Sequence, residues 1–305
     1  MKFDEAQKVF IVGAPKCGTT ALHDYLGQHP DICASDPKEP NYFSSLIKSF
    51  PQTDKEYEEY CFKHWQGEKV LLEASPLYLV CRDAGEKIRK YSSSAKIIIM
   101  LRNPVEMMFS LHAEFLFTGL EKCSDFEIAL LDEHNRITQA NAYDNPEQLR
   151  TCYRYMSSYP DQVQRYLDRF KRENILFIFQ EELSRNTLGT IDRVLSFLEL
   201  PSYQAINTKR VNSRKVNRSK ILRQFLVSPP PLLRRLGRSL IRNDYLQHSI
   251  RKKMRRLNQK INAKNTGKVE LASDLRLSLL KEKESEILAL EVLLGISLSD
   301  WKKQD

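Results

Sequence analysis

No stretch of the chain approaches the roughly eighteen apolar residues that a membrane-spanning helix requires. The longest candidates, such as Ile97 to Leu101, are the length of strands, so no transmembrane helix is expected. The N-terminus, Met-Lys-Phe-Asp-Glu-Ala-Gln-Lys, has neither an apolar h-region nor a small-residue cleavage site, so no signal peptide is expected. Cysteine is sparse and scattered. The six residues Cys17, Cys33, Cys61, Cys81, Cys123 and Cys152 are never closer than 16 positions, and no CxxC occurs. That spacing argues against a zinc site or a dense disulfide framework and for reduced thiols in a cytoplasm. Internal repeats and low-complexity tracts are also missing.

What is present is a chain of 305 residues, 41% hydrophobic and 29% charged. That is enough apolar material for a substantial core. The length suits one large α/β unit with an appendage rather than two independent domains. The net charge of +9 is uneven: between Lys209 and Arg256 stand 16 lysines and arginines against the one acid Asp244, a local +15 that leaves −6 for the rest. So basic a segment suggests an anionic partner such as a nucleotide, an acidic polymer or a lipid headgroup, with a solvated face as the plain alternative. It carries no aromatic-interleaved or recognisable nucleic-acid motif, so nucleic acid is not an expected partner.

Lys8 to Gly13 (KVFIVG) is a short, nearly continuous apolar run, the pattern of a strand buried on both faces. A turn-rich stretch follows, and Thr19 to His29 then reads as a helix ended by Pro30. Lys69 to Glu73, Lys96 to Leu101 and Asn174 to Phe179 fit the same sheet. Pro160 to Phe170 places Val163, Tyr166, Leu167 and Phe170 on one helical stripe. Strands alternating with helices predict βαβ units and a mainly parallel sheet flanked by helices, over about residues 8–201. Beyond Pro201 no strand is evident, and 202–305 reads as a basic helical extension within a single domain spanning 1–305.

The sharpest signal is Gly13-Ala14-Pro15-Lys16-Cys17-Gly18-Thr19-Thr20. Backbone N–H groups at a helix N-terminus form an anion-binding nest, and glycine lets the backbone approach the anion. Lys16 supplies charge, and Thr19 and Thr20 supply hydroxyls. A P-loop nucleoside triphosphatase has GxxxxGK[ST]; here Thr19 follows Gly18, and the lysine sits two places before that glycine. Such enzymes also need an acid at a strand end for magnesium, whereas Ile97 to Leu101 runs into Arg102-Asn103-Pro104. A strand that delivers a cation to the ligand edge points to direct phosphate binding without a metal.

These residues carry a family resemblance. Ala14 to Leu22 (APKCGTTAL) is similar to the 5′-phosphosulfate loop of the sulfotransferases that use 3′-phosphoadenylyl sulfate (PAPS). Leu101-Arg102-Asn103-Pro104, with Ser110 eight positions after Arg102, resembles their 3′-phosphate segment. Lys38-Glu39-Pro40-Asn41-Tyr42-Phe43 resembles the Lys-Glu-x-x-x-Phe segment of the heparan sulfate sulfotransferase branch, where the glutamate acts as base. Glu73 to Tyr78 resembles that branch's Glu-x-[Ser/Thr]-Pro-x-Tyr. Weaker matches, of the kind seen in bacterial relatives, are Tyr159 to Val163, Val211-Asn212-Ser213 followed by Arg218, and Leu290 to Gly295 ending in Trp301. The resemblance therefore spans nearly the whole chain.

It implies a P-loop-like α/β fold and a bacterial-type sulfotransferase that moves a sulfuryl group from PAPS to a hydroxyl or amine, releasing 3′,5′-bisphosphoadenosine (PAP). Pro15, Lys16, Cys17, Gly18, Thr19, Thr20, Arg102, Ser110 and, more distantly, Arg218 would bind the donor. Charge builds on the bridging oxygen as the phosphate leaves, and Lys16 is its natural partner. The acceptor must lose a proton, which assigns Glu39 as base, with His23 and His29 as the fallback; a lone helical histidine is more often packing. The chemistry requires no metal. One departure stands out: Ala74 occupies the place where related glycan enzymes often carry a lysine, so Lys38 or a residue of the basic extension would substitute. The alternatives are a non-catalytic nucleotide or polyanion binder that exploits residues 209–256, and a small-molecule kinase. An anionic acceptor or a membrane surface would be the partner of the basic segment.

Overall fold

A computed structural model describes residues 3–47, 51–139, 146–208, 215–217, 254, 263–265 and 270–302. Its centre is a five-stranded, wholly parallel sheet of β1 (Gln7–Gly13), β2 (Ile32–Ala34), β3 (Val70–Ala74), β4 (Lys96–Leu101) and β5 (Ile175–Phe179), ordered β2-β3-β1-β4-β5. Val9, Ile11 and Val12 on β1 and Ile97 to Leu101 on β4 are completely buried. Such strands need apolar residues on both faces, and this is why they appear as continuous runs rather than alternations.

In register, Phe10 lies opposite Glu73 on one side and Ile97 on the other. The β1–β4 register shifts between Ile11 and Gly13, and pairing resumes with Gly13 opposite Ile99. From β1 the chain first fills one side of the sheet with β2 and β3, then crosses to lay down β4 and β5. In parallel α/β sheets, ligands bind outside the carboxyl ends of the strands at such a reversal.

Helices link the strands. Helix α1 (Thr19–Leu26) follows β1, α2 (Asp54–Cys61) precedes β3, and α3 (Ala84–Tyr91) precedes β4. Helix α1 stops at Leu26 with Gly27 as its C-cap, earlier than the expected stop at Pro30. Helix α4 (Pro104–Thr118) starts directly after β4: the Asn103 side chain accepts from the N–H groups of Val105 and Glu106, and Pro104 takes the first-turn position that needs no donor. Of the expected stripe, Val163 and Tyr166 are buried on a helix spanning Tyr159–Leu167, and Leu167 at its end is half-buried. Phe170 is buried just beyond the helix, which stops three residues short of the expected Phe170.

The C-terminal part departs from the all-helical expectation. Lys215–Asn217 and Ala263–Asn265 form a two-stranded antiparallel ribbon, with Lys215 opposite Asn265 and Asn217 opposite Ala263. Three residues are too few to carry a readable periodicity, so no sequence pattern announced either strand. Helix Ser273–Leu294 is the helical portion, and its Leu279, Leu280, Ile287 and Leu290 are buried. Among the described residues, no helix is long and apolar enough to cross a membrane.

Candidate active site

The Gly13–Gly18 turn is tight because two glycines make it so. A Cβ on Gly13 would stand 2.5 Å from the Leu79 Cβ and 2.8 Å from the Pro76 carbonyl oxygen, so no other residue fits. Gly18 is left-handed, with φ of 91°, and is the N-cap of α1. It has no side chain to cap the helix, which leaves the first-turn N–H groups open to an anion. Lys16 is also left-handed, at φ 63°, a conformation unfavourable to a residue with a Cβ. Pro15 and Thr19 are buried, and Thr20 is half-buried. Beneath the turn lies the Cys17 thiol, bonded to the Pro15 carbonyl at 3.3 Å. Burial pushes its pKa up to about 12, so it stays a neutral packing group.

Arg102 leaves the end of β4 and reaches this turn. Its Nη1 donates to the Lys16 carbonyl at 3.5 Å, its Nη2 stands 3.7 Å from Glu106, and its Nε has no partner. A guanidinium held this loosely has donors to spare for a phosphate. The Lys16 ammonium reaches across to Glu114 at 3.3 Å. Glu106, Ser110 and Glu114 recur every four residues on α4, so the face that touches both Arg102 and Lys16 also carries Ser110. Loop and helix thus bring Lys16, Arg102 and Ser110 to one edge.

Glu39 arrives from another direction, on the segment after β2. Its N–H donates to the Ala74 carbonyl at the end of β3 (3.1 Å), and its half-exposed carboxylate accepts from Lys38 at 2.5 Å. His23 and His29 are buried. His23 Nε2 lies 3.5 Å from the Ser35 hydroxyl; His29 accepts from the Asp31 N–H at 3.1 Å and packs edge-on to Tyr203. Arg218, and with it the Val211-Asn212-Ser213 match, lies outside the described residues.

The uncapped glycine turn and the arginine at the end of the neighbouring strand meet at one edge of the parallel sheet. Residues 6–227 match the sulfotransferase domain family. The chain belongs to the sulfotransferase family. Human heparan sulfate glucosamine 3-O-sulfotransferase 6 is 28% identical to it over 193 residues, 63% of this chain and 52% of that protein. Human heparan sulfate glucosamine 3-O-sulfotransferase 3A1 is 26% identical over 201 residues, 65% of this chain and 46% of that protein. The chain thus spans about half the length of the curated relatives it matches. A solved sulfotransferase from Alicyclobacillus acidocaldarius shares the fold with a TM-score of 0.71 at 26% identity, over 97% of this chain and 99% of that one. Membership disfavours the kinase and the non-catalytic binder. The family's donor, PAPS, carries a 5′-phosphosulfate and a 3′-phosphate, and the open α1 amides and the underused Arg102 guanidinium suit two such anions.

Several residues at this edge were given no role on sequence grounds. Glu114 is Lys16's carboxylate partner from 98 positions away, and no local pattern signals that contact. Glu181 accepts from the Asn103 N–H at 3.1 Å, and its other oxygen is buried without a partner. Glu73, at the end of β3, is 1% exposed; the hydroxyls of Tyr57 and Tyr78 both donate to its Oε2, at 2.9 and 3.0 Å. Its place in a quoted motif was the signal; its burial was not visible.

Proposed function

We propose that this chain transfers a sulfuryl group from PAPS to a hydroxyl or amine of an acceptor. In this reading it is a single domain over 1–305, with the C-terminal helix part of the same unit. The observation that carries the proposal is the Arg102 guanidinium directed at the Lys16 carbonyl beside an uncapped helix N-terminus. The turn amides and the Thr19 and Thr20 hydroxyls would hold the 5′-phosphosulfate, and Arg102 with Ser110 the 3′-phosphate. Lys16 would neutralise charge on the departing phosphate oxygen. Glu39 would take the acceptor's proton, and Lys38, bonded to it, or a residue of the basic extension would serve in place of the lysine missing at Ala74. All six cysteines are free thiols, which supports a reducing, cytoplasmic setting. An anionic acceptor, or an anionic surface that presents one, is the partner proposed for residues 209–256.

The decisive experiment is incubation with sulfur-labelled PAPS and a panel of glycans, lipids and small hydroxylated metabolites. Label should pass to one acceptor class, and PAP should raise the melting temperature more than magnesium-ATP does. A larger shift with magnesium-ATP would sink the proposal. Glu39→Gln should keep donor binding and lose on the order of 10²–10⁴-fold in rate; wild-type turnover in that variant would remove Glu39 as base.

A further inference from the structure

The segment that carries Glu39 does not hold its shape unaided. Glu39 and Asn41 both lie in left-handed backbone conformations, at φ 61° and 55°. Such conformations disfavour any residue with a Cβ and persist only where surroundings impose them. Asn41 gains a little locally, since its Nδ2 donates to the Glu39 carbonyl at 2.9 Å. The main restraint comes from the end of β3, through three alternate amides. Glu39 N–H donates to the Ala74 carbonyl, Asn41 N–H to the Ser75 hydroxyl at 3.1 Å, and Phe43 N–H to the Tyr78 hydroxyl at 3.3 Å.

A hydroxyl is a poor anchor while it is free to rotate. That of Tyr78 is not, because its proton is committed to Glu73 Oε2, which turns its oxygen lone pairs towards Phe43. The same carboxylate oxygen takes the Tyr57 hydroxyl, and the Tyr57 ring stacks on Tyr42 at 4.7 Å and meets Phe43 edge-on at 5.3 Å. Glu73 therefore grips the segment twice, through the backbone of Phe43 and through the rings of Tyr42 and Phe43. The arrangement is costly: the carboxyl is buried and its Oε1 has no hydrogen-bond partner. An apolar residue would serve a core better, so this position answers a need other than packing.

We propose that Glu73 is a positioning residue for Glu39: by pinning the hydroxyls of Tyr78 and Tyr57 it fixes the 39–43 segment to the end of β3 and so sets where the Glu39 carboxylate stands. The inference rests on the reading of Glu39 as the base. It accounts for a buried acid that neither donor binding nor sulfuryl transfer uses directly.

Amide hydrogen exchange on the full chain tests it, alongside PAP release from PAPS in the presence of the acceptor panel above, whose hydroxyl or amine takes the sulfuryl group. Tyr78→Phe keeps the ring and deletes the hydroxyl, Glu73→Ala deletes the carboxyl, and Glu73→Gln retains an acceptor oxygen. Exchange across 39–43 should rise about tenfold in Tyr78→Phe and Glu73→Ala and stay within about threefold in Glu73→Gln, with β1 and β4 keeping their protection. PAP release should fall by a similar order in the first two variants, while the PAP concentration giving a half-maximal thermal shift stays put. Unchanged exchange at 39–43 in Tyr78→Phe overturns the proposal. So does looser exchange with undiminished turnover, or protection lost evenly across the sheet, which would leave Glu73 a core residue only. Should Glu73→Ala fail to fold, Tyr78→Phe and Glu73→Gln carry the test. If the wild type releases no PAP, the functional reading fails, and the exchange pattern still decides whether Glu73 holds the segment.

Discussion

Lys16 pairs with Glu114, and in the proposed site an arriving donor would have to compete with that carboxylate. The pair is partly exposed, and such pairs contribute about 1 kcal/mol or less. Glu114→Gln should therefore strengthen PAP binding severalfold at most, roughly the same 1 kcal/mol, as read by titration calorimetry. Weaker binding in that variant would mean that Glu114 places the lysine rather than competes for it. Glu73 offers a test through pH. Burial raises its carboxyl from 4.5 to about 7, with the Tyr57, Tyr78, Tyr91 and Tyr166 hydroxyls and the Lys38 ammonium among the groups around it. Since the folded state holds a proton that the unfolded chain gives up, this contribution to stability is full below about pH 4.5 and is lost as pH rises through about 7. Relative to wild type, Glu73→Gln should gain on the order of 3 kcal/mol between pH 4.5 and 8 in denaturant titrations. A difference that stays flat with pH would show an unshifted carboxyl.

At the scale of elements, the glycine turn tolerates no enlargement. Gly13→Ala sets a Cβ against the Leu79 Cβ and the Pro76 carbonyl, and backbone has to give way. That variant should lose the PAP-induced thermal shift and melt below the wild type; an unaltered shift would show that the turn deforms freely. The basic segment makes a different kind of prediction, from charge alone. Replacing Arg251, Lys252, Lys253, Arg255 and Arg256 by glutamine should raise the acceptor's apparent KM and flatten its salt dependence, since screening acts over about 8 Å at physiological ionic strength. Unchanged acceptor kinetics would reduce the cluster to a solvated face. β1, β3, β4 and β5 were legible because strands buried on both faces must be written as apolar runs. β2 was not, being three residues long and held by pairing with β3. The turn's residue types were equally legible, whereas the Glu114 and Glu73 contacts depend on elements far apart in sequence meeting in space.

For the whole molecule, the C-terminal helix is joined to the site rather than appended to it. Arg276 pairs at 3.3 Å with Glu106, the glutamate beside Arg102, and Arg154 makes two bonds to Glu282 at 2.6 and 3.0 Å. Trp301, 4% exposed, packs against Tyr159 and Phe179, and its carbonyl accepts from Asn103 Nδ2 at 2.9 Å. Trp301→Ala should cost about 3–5 kcal/mol of stability, as for other buried tryptophans, and should weaken PAP binding as well. A loss of stability with unchanged PAP affinity would separate the two ends of the molecule. The Asn103–Trp301 bond also orders events during synthesis. Its partners are 198 positions apart, so at ribosomal speed the tryptophan follows the asparagine by about 10–40 s. Throughout that interval the nascent sheet can already be paired while the Asn103 amide next to Arg102 still lacks its Trp301 carbonyl partner.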